Sequence, residues 1–393
     1  MTYGHLGYIQ YLYNNHSLPD FSPIGKNQFY HPPLFHCLGA LVMKIIVSIW
    51  KDNYGRAFEA LQVINSVIAG MTVILIYLSA KKLKIKGKML VVLTVFFSFC
   101  PIFFILGVTL NNDCLVVFFC VAAFYFTLRW LEKSTYLNII AIAFTLGLGM
   151  LTKTSAALCA PAIACVLIYG MVNNRHQWKK YILQFMVFGV ICVPIGSFWI
   201  VRNQVLFDVP FDYILDLGEK SSQYIGNYPL FDRIGIPSFS RFLQYKINWN
   251  NISGHTNIWA QTMLTMTFDE GILNINNKPE SVLAIILLWG STIIYIIGFI
   301  SLIKIMLLKK INGGIRLLLG VMFATFMVFY LKFCFDYPQV CTMNFRYIVI
   351  TLVICLLSLG ICQSGNNGKS TFKIFVISDM MAVSILSGIL FIA

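Results

Sequence analysis

Charged residues are scarce in this chain, and acidic residues are the scarcest. Only 15 of 393 residues are Asp or Glu, and charged residues of both signs make up 11% of the chain, against 58% hydrophobic residues. A soluble domain carries about twice that charged fraction. The composition therefore excludes a soluble globular protein and indicates a polytopic membrane protein, whose partner is the lipid bilayer.

Motifs of several common function classes are also missing. There is no Walker A loop, no Rossmann glycine pattern, no zinc-ligand spacing and no evident internal repeat. We therefore predict no nucleotide cofactor, and the lack of repeats disfavours an inverted-repeat transporter. The net charge of +14 does not predict a nucleic-acid partner, because the basic residues form short clusters between apolar runs.

Ten apolar runs are long enough to cross a membrane. Lipid offers no partner to free backbone groups, so each run is predicted to be a helix. The predicted fold class is an all-α polytopic membrane protein with a bundle of about ten transmembrane helices. The runs lie at 58–80, 89–108, 114–130, 136–152, 155–173, 181–201, 282–303, 315–333, 347–362 and 374–392.

The basic residues predict which side of the membrane each connection faces. More than half of the 29 basic residues lie in every second connection, and the positive-inside rule makes these connections cytoplasmic. They are 81–88, 129–135, 174–180, 304–316 and 363–373. More than half of the 15 acidic residues lie in one outer connection, 202–281. Cys334 and Cys341 share another outer loop and would form a disulfide in an oxidising compartment.

This topology divides the chain into four regions. They are the first outer loop at 1–57, an N-terminal transmembrane core at 58–201, an extracytoplasmic loop at 202–281 and C-terminal transmembrane helices at 282–393. If the apolar run 34–50 crossed the membrane, the predicted orientation would be reversed either for all residues before it or for the lysine-rich connection 81–88 after it. We therefore predict an interfacial outer-face helix there, with an ordinary crossing as the alternative. The map also places Met1 outside, so we expect a transmembrane helix upstream of it.

Ionisable residues at the outer ends of the runs are the candidates for a functional site, because charges at membrane level are costly and commonly functional. Asp113 ends an Asn-Asn-Asp turn whose alternative role is only to close a helical hairpin. Lys153, Arg202 and Arg346 stand on the same face, where snorkelling would explain each one singly. Together, the basic residues suit a lipid phosphate, and the carboxylate suits a hydroxyl proton or a divalent cation.

An ordered set of short motifs resembles the GT-C membrane glycosyltransferases. The chain is similar in particular to the dolichyl-phosphate-mannose protein mannosyltransferase-like and RgtA/B/C/D-like enzymes, which are related to aminoarabinose transferases acting on lipid A. The motifs are GHLGYIQYLYNNHSLPDF and QFYHPPLFHCLGALVMKI within 4–45, NND at 111–113, LGLGMLTKTSA at 146–156, FWIVRNQVLFDVP at 198–210 and NFRYI at 344–348.

The resemblance implies transfer of a sugar from a polyprenyl-phosphate donor to a lipid, glycan or protein acceptor. The site would face outside a plasma membrane, and the high Asn, Ile and Lys content suggests a bacterial one. Asp113 matches the second-loop acid of the family, with Asn112 and His5 as further catalytic candidates and Mg²⁺ or Mn²⁺ as a candidate ion on Asp113. The predicted substrate-binding residues are Tyr30, His31, Lys153, Arg202, Asn203, Arg346 and Tyr347.

The family's first-loop acid would lie just before the GH motif, where this sequence has Met1. This gap again leads us to expect an upstream segment. Two other functions stay open from the sequence. One is a flippase or transporter of lipid-linked oligosaccharides, and the other is an inactive membrane protein derived from a transferase.

Overall fold

A computed structural model describes residues 4–50, 54–238, 240, 243, 246–270, 278–364 and 371–392. The regular structure in these ranges is helical, and the one β pairing in them is an isolated bridge between Tyr224 and Gln339. The all-α prediction is therefore confirmed. The hydrophobic runs form helices because each helix satisfies its own backbone donors and acceptors, which lipid cannot do.

Fifteen α-helices lie in the described ranges. In chain order they are α1 (His5–Asn15), α2 (Leu34–Ile49), α3 (Tyr54–Lys82), α4 (Gly87–Phe99), α5 (Pro101–Val108), α6 (Asp113–Glu132), α7 (Tyr136–Thr152), α8 (Ala160–Asn173), α9 (Trp178–Phe207), α10 (Leu230–Ile234), α11 (Ile258–Phe268), α12 (Lys278–Leu307), α13 (Gly313–Asp336), α14 (Val349–Ser364) and α15 (Thr371–Ile392). Short 3-10 turns precede α8, α9 and α14.

Eight spans in the described residues are long and apolar enough to cross a membrane, against the ten predicted. They are Gly55–Lys82, Asp113–Glu132, Thr154–Asn173, Arg175–Phe207, Pro279–Leu307, Gly313–Asp336, Phe345–Ser364 and Thr371–Ile392. Helices α4 and α5 form a ninth candidate, bent by 42° where Pro101 begins a new helix. The remaining predicted run, 136–152, is α7, whose 17 residues reach about 25 Å, short of the ~30 Å hydrocarbon core.

Helix α2 is also too short for a straightforward crossing. Its 16 residues reach about 24 Å, so its length suits the predicted interfacial position, which stays a prediction. Pro33 is its N-cap residue, where a proline displaces no helical hydrogen bond. One face of α2 is buried, and Gly39 on that face lies so close to α1 that a Cβ there would stand 2.7 Å from Cδ1 of Ile9.

The chain divides into two compact units that share several helices. The first unit comprises residues 1–75, 106–215 and 313–321. Within it, α7 packs against both α6 and α9, and α1 packs against α2. Hydrogen bonds of one buried glutamine link α6 to α9. The indole N–H of Trp130 donates to the side chain of Gln184 at 2.9 Å, and that side chain donates to the Ser134 carbonyl at 3.0 Å.

The second unit comprises residues 76–105, 216–312 and 322–393. Helix α12 packs against α14 and α15, and α4 packs against α15 and α14. Tyr295 of α12 and Thr351 of α14 share a buried hydrogen bond of 2.9 Å. Cys334 and Cys341 are both free thiols here, so the disulfide considered from the sequence is not formed.

Topology is tested by placing one cysteine in each of two connections. Lys86→Cys is expected to lie on the cytoplasmic side and Ile236→Cys, at a site that is 94% exposed, on the outer side. A membrane-impermeant maleimide should label Ile236→Cys in intact cells and Lys86→Cys only after permeabilisation, as read by mass spectrometry of the peptides. The exposed native Cys37 is replaced by Ser in both. Labelling in the reverse order would contradict the outward-facing site.

Candidate functional site

Three asparagines shape the turn that starts α6 and presents Asp113. Asn65, on α3, donates to the carbonyls of Thr109 at 2.6 Å and of Asn111 at 3.3 Å. The Asn111 side chain accepts the backbone N–H of Asp113 at 3.0 Å. Asp113 is the first residue of α6, where the helix dipole and the free amide groups favour a negative charge. The NND motif is thus a folded support for one carboxylate.

Asp113 forms an ion pair with Lys153. Nζ of Lys153 donates to Oδ1 of Asp113 at 2.5 Å, and the two side chains are only 12% and 6% exposed. Lys153 is the residue that ends α7, and α7 packs beside α6, so the pair joins the ends of two neighbouring helices. A buried charge is costly without a partner, so each residue stabilises the other in its charged form.

Asn112 holds the same two helix ends together. Its side chain is fully buried and donates to the carbonyl of Thr152 at 3.2 Å, while its own Oδ1 has no hydrogen-bond partner among the described residues. The sequence placed Asn112 among the catalytic candidates. That role stays a prediction, and the hydrogen bond of its side chain is to the residue before Lys153.

A stack of aromatic and imidazole rings surrounds His5. The ring of His5 lies 5.8 Å from that of His31 and 5.2 Å from that of His36, and Tyr30 lies 4.1 Å from His31. Nδ1 of His5 and Nε2 of His36 share a hydrogen bond of 2.9 Å. Burial and the neighbouring His5 lower the pKa of His36 well below its ordinary value, so His36 stays neutral inside the stack.

Trp199 connects this ring stack to Arg202 within the first unit. The indole N–H of Trp199 donates to the Tyr30 carbonyl at 3.0 Å, and the Arg202 guanidinium lies 5.0 Å from the Trp199 ring. Arg202 also donates to the Pro19 carbonyl at 2.6 Å and to Asn203 at 3.2 Å. Tyr30 and Arg202 therefore both contact Trp199, and Arg202 also contacts the first loop through Pro19.

Arg346 and Tyr347 lie in the second unit, beside two acids. A terminal nitrogen of Arg346 lies 3.8 Å from Glu270 and 3.3 Å from the Tyr347 hydroxyl. The side chain of Asn344 donates to Asp269 at 2.5 Å and accepts the backbone N–H of Arg346 at 2.9 Å. Asn344 thereby fixes the turn that carries Arg346.

Burial raises the pKa of Glu270, Arg346 opposes that shift, and Asp269 adds to it. Asp269 itself has φ of 51° and ψ of −140°, a conformation that costs a non-glycine residue energy. The hydrogen bond from Asn344 supports Asp269 in that conformation. We refer to Asp269, Glu270, Asn344, Arg346 and Tyr347 as the Arg346 cluster.

Sequence reasoning missed four members of these clusters. His36 is one of several histidines near the N-terminus, and its pairing with His5 depends on the packing of α1 on α2. Asp269 and Glu270 are two of the eight acids of loop 202–281, and only their position directly after the helical run of α11 sets them apart. Asn344 belongs to the NFRYI motif, but its role as a support for Arg346 needed the folded turn.

A divalent cation on Asp113 would need several oxygen or nitrogen ligands. Within the described ranges no group of three or more His, Cys, Asp or Glu side chains is close enough to hold a metal ion. One oxygen of Asp113 also contacts the ammonium of Lys153, which would have to move. The residues present at Asp113 do not fit Mg²⁺ or Mn²⁺.

A comparison with known protein families agrees with this geometry. Residues 30–199 match the family model described as dolichyl-phosphate-mannose-protein mannosyltransferase. This segment, less than half of the chain, is similar to that family. It contains Tyr30, His31, Asn112, Asp113 and Lys153, and it ends at Trp199. A search of the curated proteins found no match.

The candidate spans make the chain a multi-pass membrane protein, as the sequence predicted, and residues 30–199 are similar to a mannosyltransferase family. The matched segment runs from the start of the first-loop helix α2 into α9, so it carries the Asp113–Lys153 pair. Five of the predicted site residues lie outside it, namely His5, Arg202, Asn203, Arg346 and Tyr347.

Proposed function

We propose that the protein transfers a sugar from a polyprenyl-phosphate donor to a hydroxyl of a lipid, glycan or protein acceptor, at the outer face of a bacterial plasma membrane. The observation that carries the proposal is the Asp113–Lys153 pair, a buried carboxylate held at the start of a helix within the family segment. The family description supplies the class of donor, a sugar linked to a polyprenyl phosphate.

In the proposed reaction, Asp113 acts as the general base. Its carboxylate takes the proton of the acceptor hydroxyl, the acceptor oxygen bonds to the anomeric carbon, and the bond from that carbon to the phosphate oxygen breaks. The polyprenyl phosphate leaves with the bonding electron pair. General-base catalysis suits this step because Lys153 holds the carboxylate and Asn111 holds the backbone of Asp113 before the acceptor arrives.

The basic residues are assigned to the donor phosphate. Lys153 contacts the proposed base directly, and the Arg202 guanidinium lies against the ring of Trp199. A cation near the leaving phosphate stabilises the charge that develops there as the glycosidic bond breaks. Tyr30, His31 and His5 form an aromatic surface suited to a sugar ring, and Asn203 supports Arg202. Arg346 and Tyr347 are assigned to the donor through the family motif NFRYI, as the sequence predicted.

Transport of a lipid-linked oligosaccharide is the second candidate function, and one residue favours it. Asp379 lies well inside α15, and its Oδ2 is buried without a hydrogen-bond partner in the described structure. A carboxyl group at membrane depth is a common feature of transport pathways. The transferase is the stronger proposal because the family segment contains the Asp113–Lys153 pair and not Asp379.

The function is tested with the purified full chain in lipid nanodiscs and undecaprenyl-phosphate mannose as the donor. Release of undecaprenyl phosphate is measured, because this product forms whatever the acceptor is. We expect release that depends on an added extract of envelope glycans and glycolipids. The same chain in sealed vesicles is assayed for movement of the donor across the bilayer. Movement of the donor without release of undecaprenyl phosphate would favour the flippase over the transferase. Absence of both activities would indicate the inactive protein.

A further inference from the structure

A groove of about 330 Å³ lies between the end of α1 and the outer side of α2. Its apolar wall is formed by Leu12, Leu18, Ala40 and Leu41. Its volume is at the lower end of the range of small-molecule sites. None of the residues assigned to sugar transfer lines this groove. The ligand of the groove therefore has to be inferred from the residues that line it.

The polar side of the groove carries the positive charge of Lys44. Lys44 and His16 both line it, and both side chains are exposed. Neither side chain has a hydrogen bond or an ion pair within the described ranges. None of the described residues that line the groove is acidic. A cationic rim beside an apolar wall suits an amphipathic anion.

The apolar wall continues onto an exposed stripe of α2. Leu38, Leu41, Ile45 and Ile49 are all exposed and recur at spacings of three and four residues, so they lie on one face of the helix. Trp50, also exposed, follows the stripe at the end of α2. A helix with an exposed apolar face, a lysine and a terminal tryptophan is the pattern of a segment that lies at a membrane surface. The groove therefore opens where lipid headgroups would be.

We propose that this groove binds an anionic phospholipid of the surrounding bilayer. Its phosphate contacts Lys44 and His16, and the first part of one acyl chain follows Leu41 and Leu12. Lysines next to a membrane attract anionic lipids over zwitterionic ones. The site goes beyond sugar transfer, because it anchors α2 and the first outer loop to acidic lipid whatever the enzyme's substrate is.

Cys37 provides a direct reporter of this site, since it lines the groove and is exposed. The rate of its alkylation by N-ethylmaleimide is measured on the full chain by mass spectrometry of the Cys37 peptide. The chain is held in mixed micelles with dioleoyl phosphatidylglycerol or with dioleoyl phosphatidylcholine. We expect phosphatidylglycerol to slow the alkylation about five-fold relative to phosphatidylcholine, the effect of one lysine near an anionic surface.

Two lysine variants and a soluble phosphate separate the alternatives. Lys44→Gln should abolish the ratio of the two alkylation rates, whereas Lys26→Gln, at an exposed site that does not line the groove, should preserve it. Comparing ratios within each variant removes any direct effect of the charge on the thiol. The proposal is overturned if both lipids protect Cys37 equally, if the ratio survives Lys44→Gln, or if inorganic phosphate in phosphatidylcholine micelles protects Cys37 as phosphatidylglycerol does.

Discussion

Replacing Asp113 with Asn is expected to lower the rate of undecaprenyl-phosphate release by about 100-fold or more, the usual contribution of a general base. Asn keeps the size of the side chain and its place at the start of α6, but it cannot take the proton of the acceptor hydroxyl. The effect should appear in kcat, because the base acts in the transition state and not in binding of the donor. Turnover of Asp113→Asn at the normal rate would remove this residue from the mechanism.

A folding defect has to be separated from a catalytic one, because the same change leaves Lys153 buried without its ion pair. Removing one partner of a buried pair typically destabilises a protein by about 3–5 kcal/mol, whereas removing both is far less costly. The double variant Asp113→Asn with Lys153→Met should therefore recover thermal stability and still lack activity. If activity returned together with stability, Asp113 would be a structural residue only.

A second acid–lysine pair supplies the matched control. Asp336 contacts Lys332 at 2.6 Å one turn away on α13, and both side chains are exposed. An exposed pair contributes little to stability. Asp336→Asn makes the same chemical change as Asp113→Asn without touching the α6 turn, so it should leave both the rate of transfer and the melting temperature close to those of the unchanged protein.

The sequence predicted the positions of the helices better than it predicted the contacts of the candidate residues. Helix positions follow from local hydrophobicity, because a run of apolar residues in lipid has no alternative to a helix. The errors arose at ends and breaks. The run 89–108 was predicted as one helix although Pro101 lies within it, whereas α7 has the bounds 136–152 that were predicted for it. The position of the proline was visible in the sequence.

Contacts between candidate residues were less predictable than the residues themselves. Asp113 and Lys153 lie 40 positions apart, and the sequence placed them at the same outer face, but their direct pairing depends on how α6 and α7 pack. Glu270 and Arg346 are farther apart in the chain. They meet because α11, which ends just before Glu270, packs against the turn before α14 that carries Arg346. The sequence named Arg346 as a phosphate ligand, while the structure adds a carboxylate beside it.

The second large effect is expected for Arg346→Gln, the variant that removes the guanidinium beside Glu270. If Arg346 binds the donor phosphate, the variant loses one charge-assisted contact, worth about 1.5–3 kcal/mol, and the donor KM should rise about ten-fold or more with kcat less affected. Glu270→Gln keeps the guanidinium and should leave the donor KM near its normal value. An unchanged KM in Arg346→Gln would assign Arg346 to the structure of the loop alone.

Stability of the same variant should depend on pH, with a sign set by Glu270. Burial already raises the pKa of Glu270, and Arg346 opposes that shift, so removing Arg346 raises the pKa further. The native variant then binds more protons than the native unchanged protein, and its free energy of unfolding falls more steeply as pH rises. The destabilisation should therefore be largest where Glu270 is charged and shrink as pH falls through its raised pKa. Melting curves of Arg346→Gln, with and without Glu270→Gln, measure this, and a pH-independent destabilisation would show that the two side chains are not coupled.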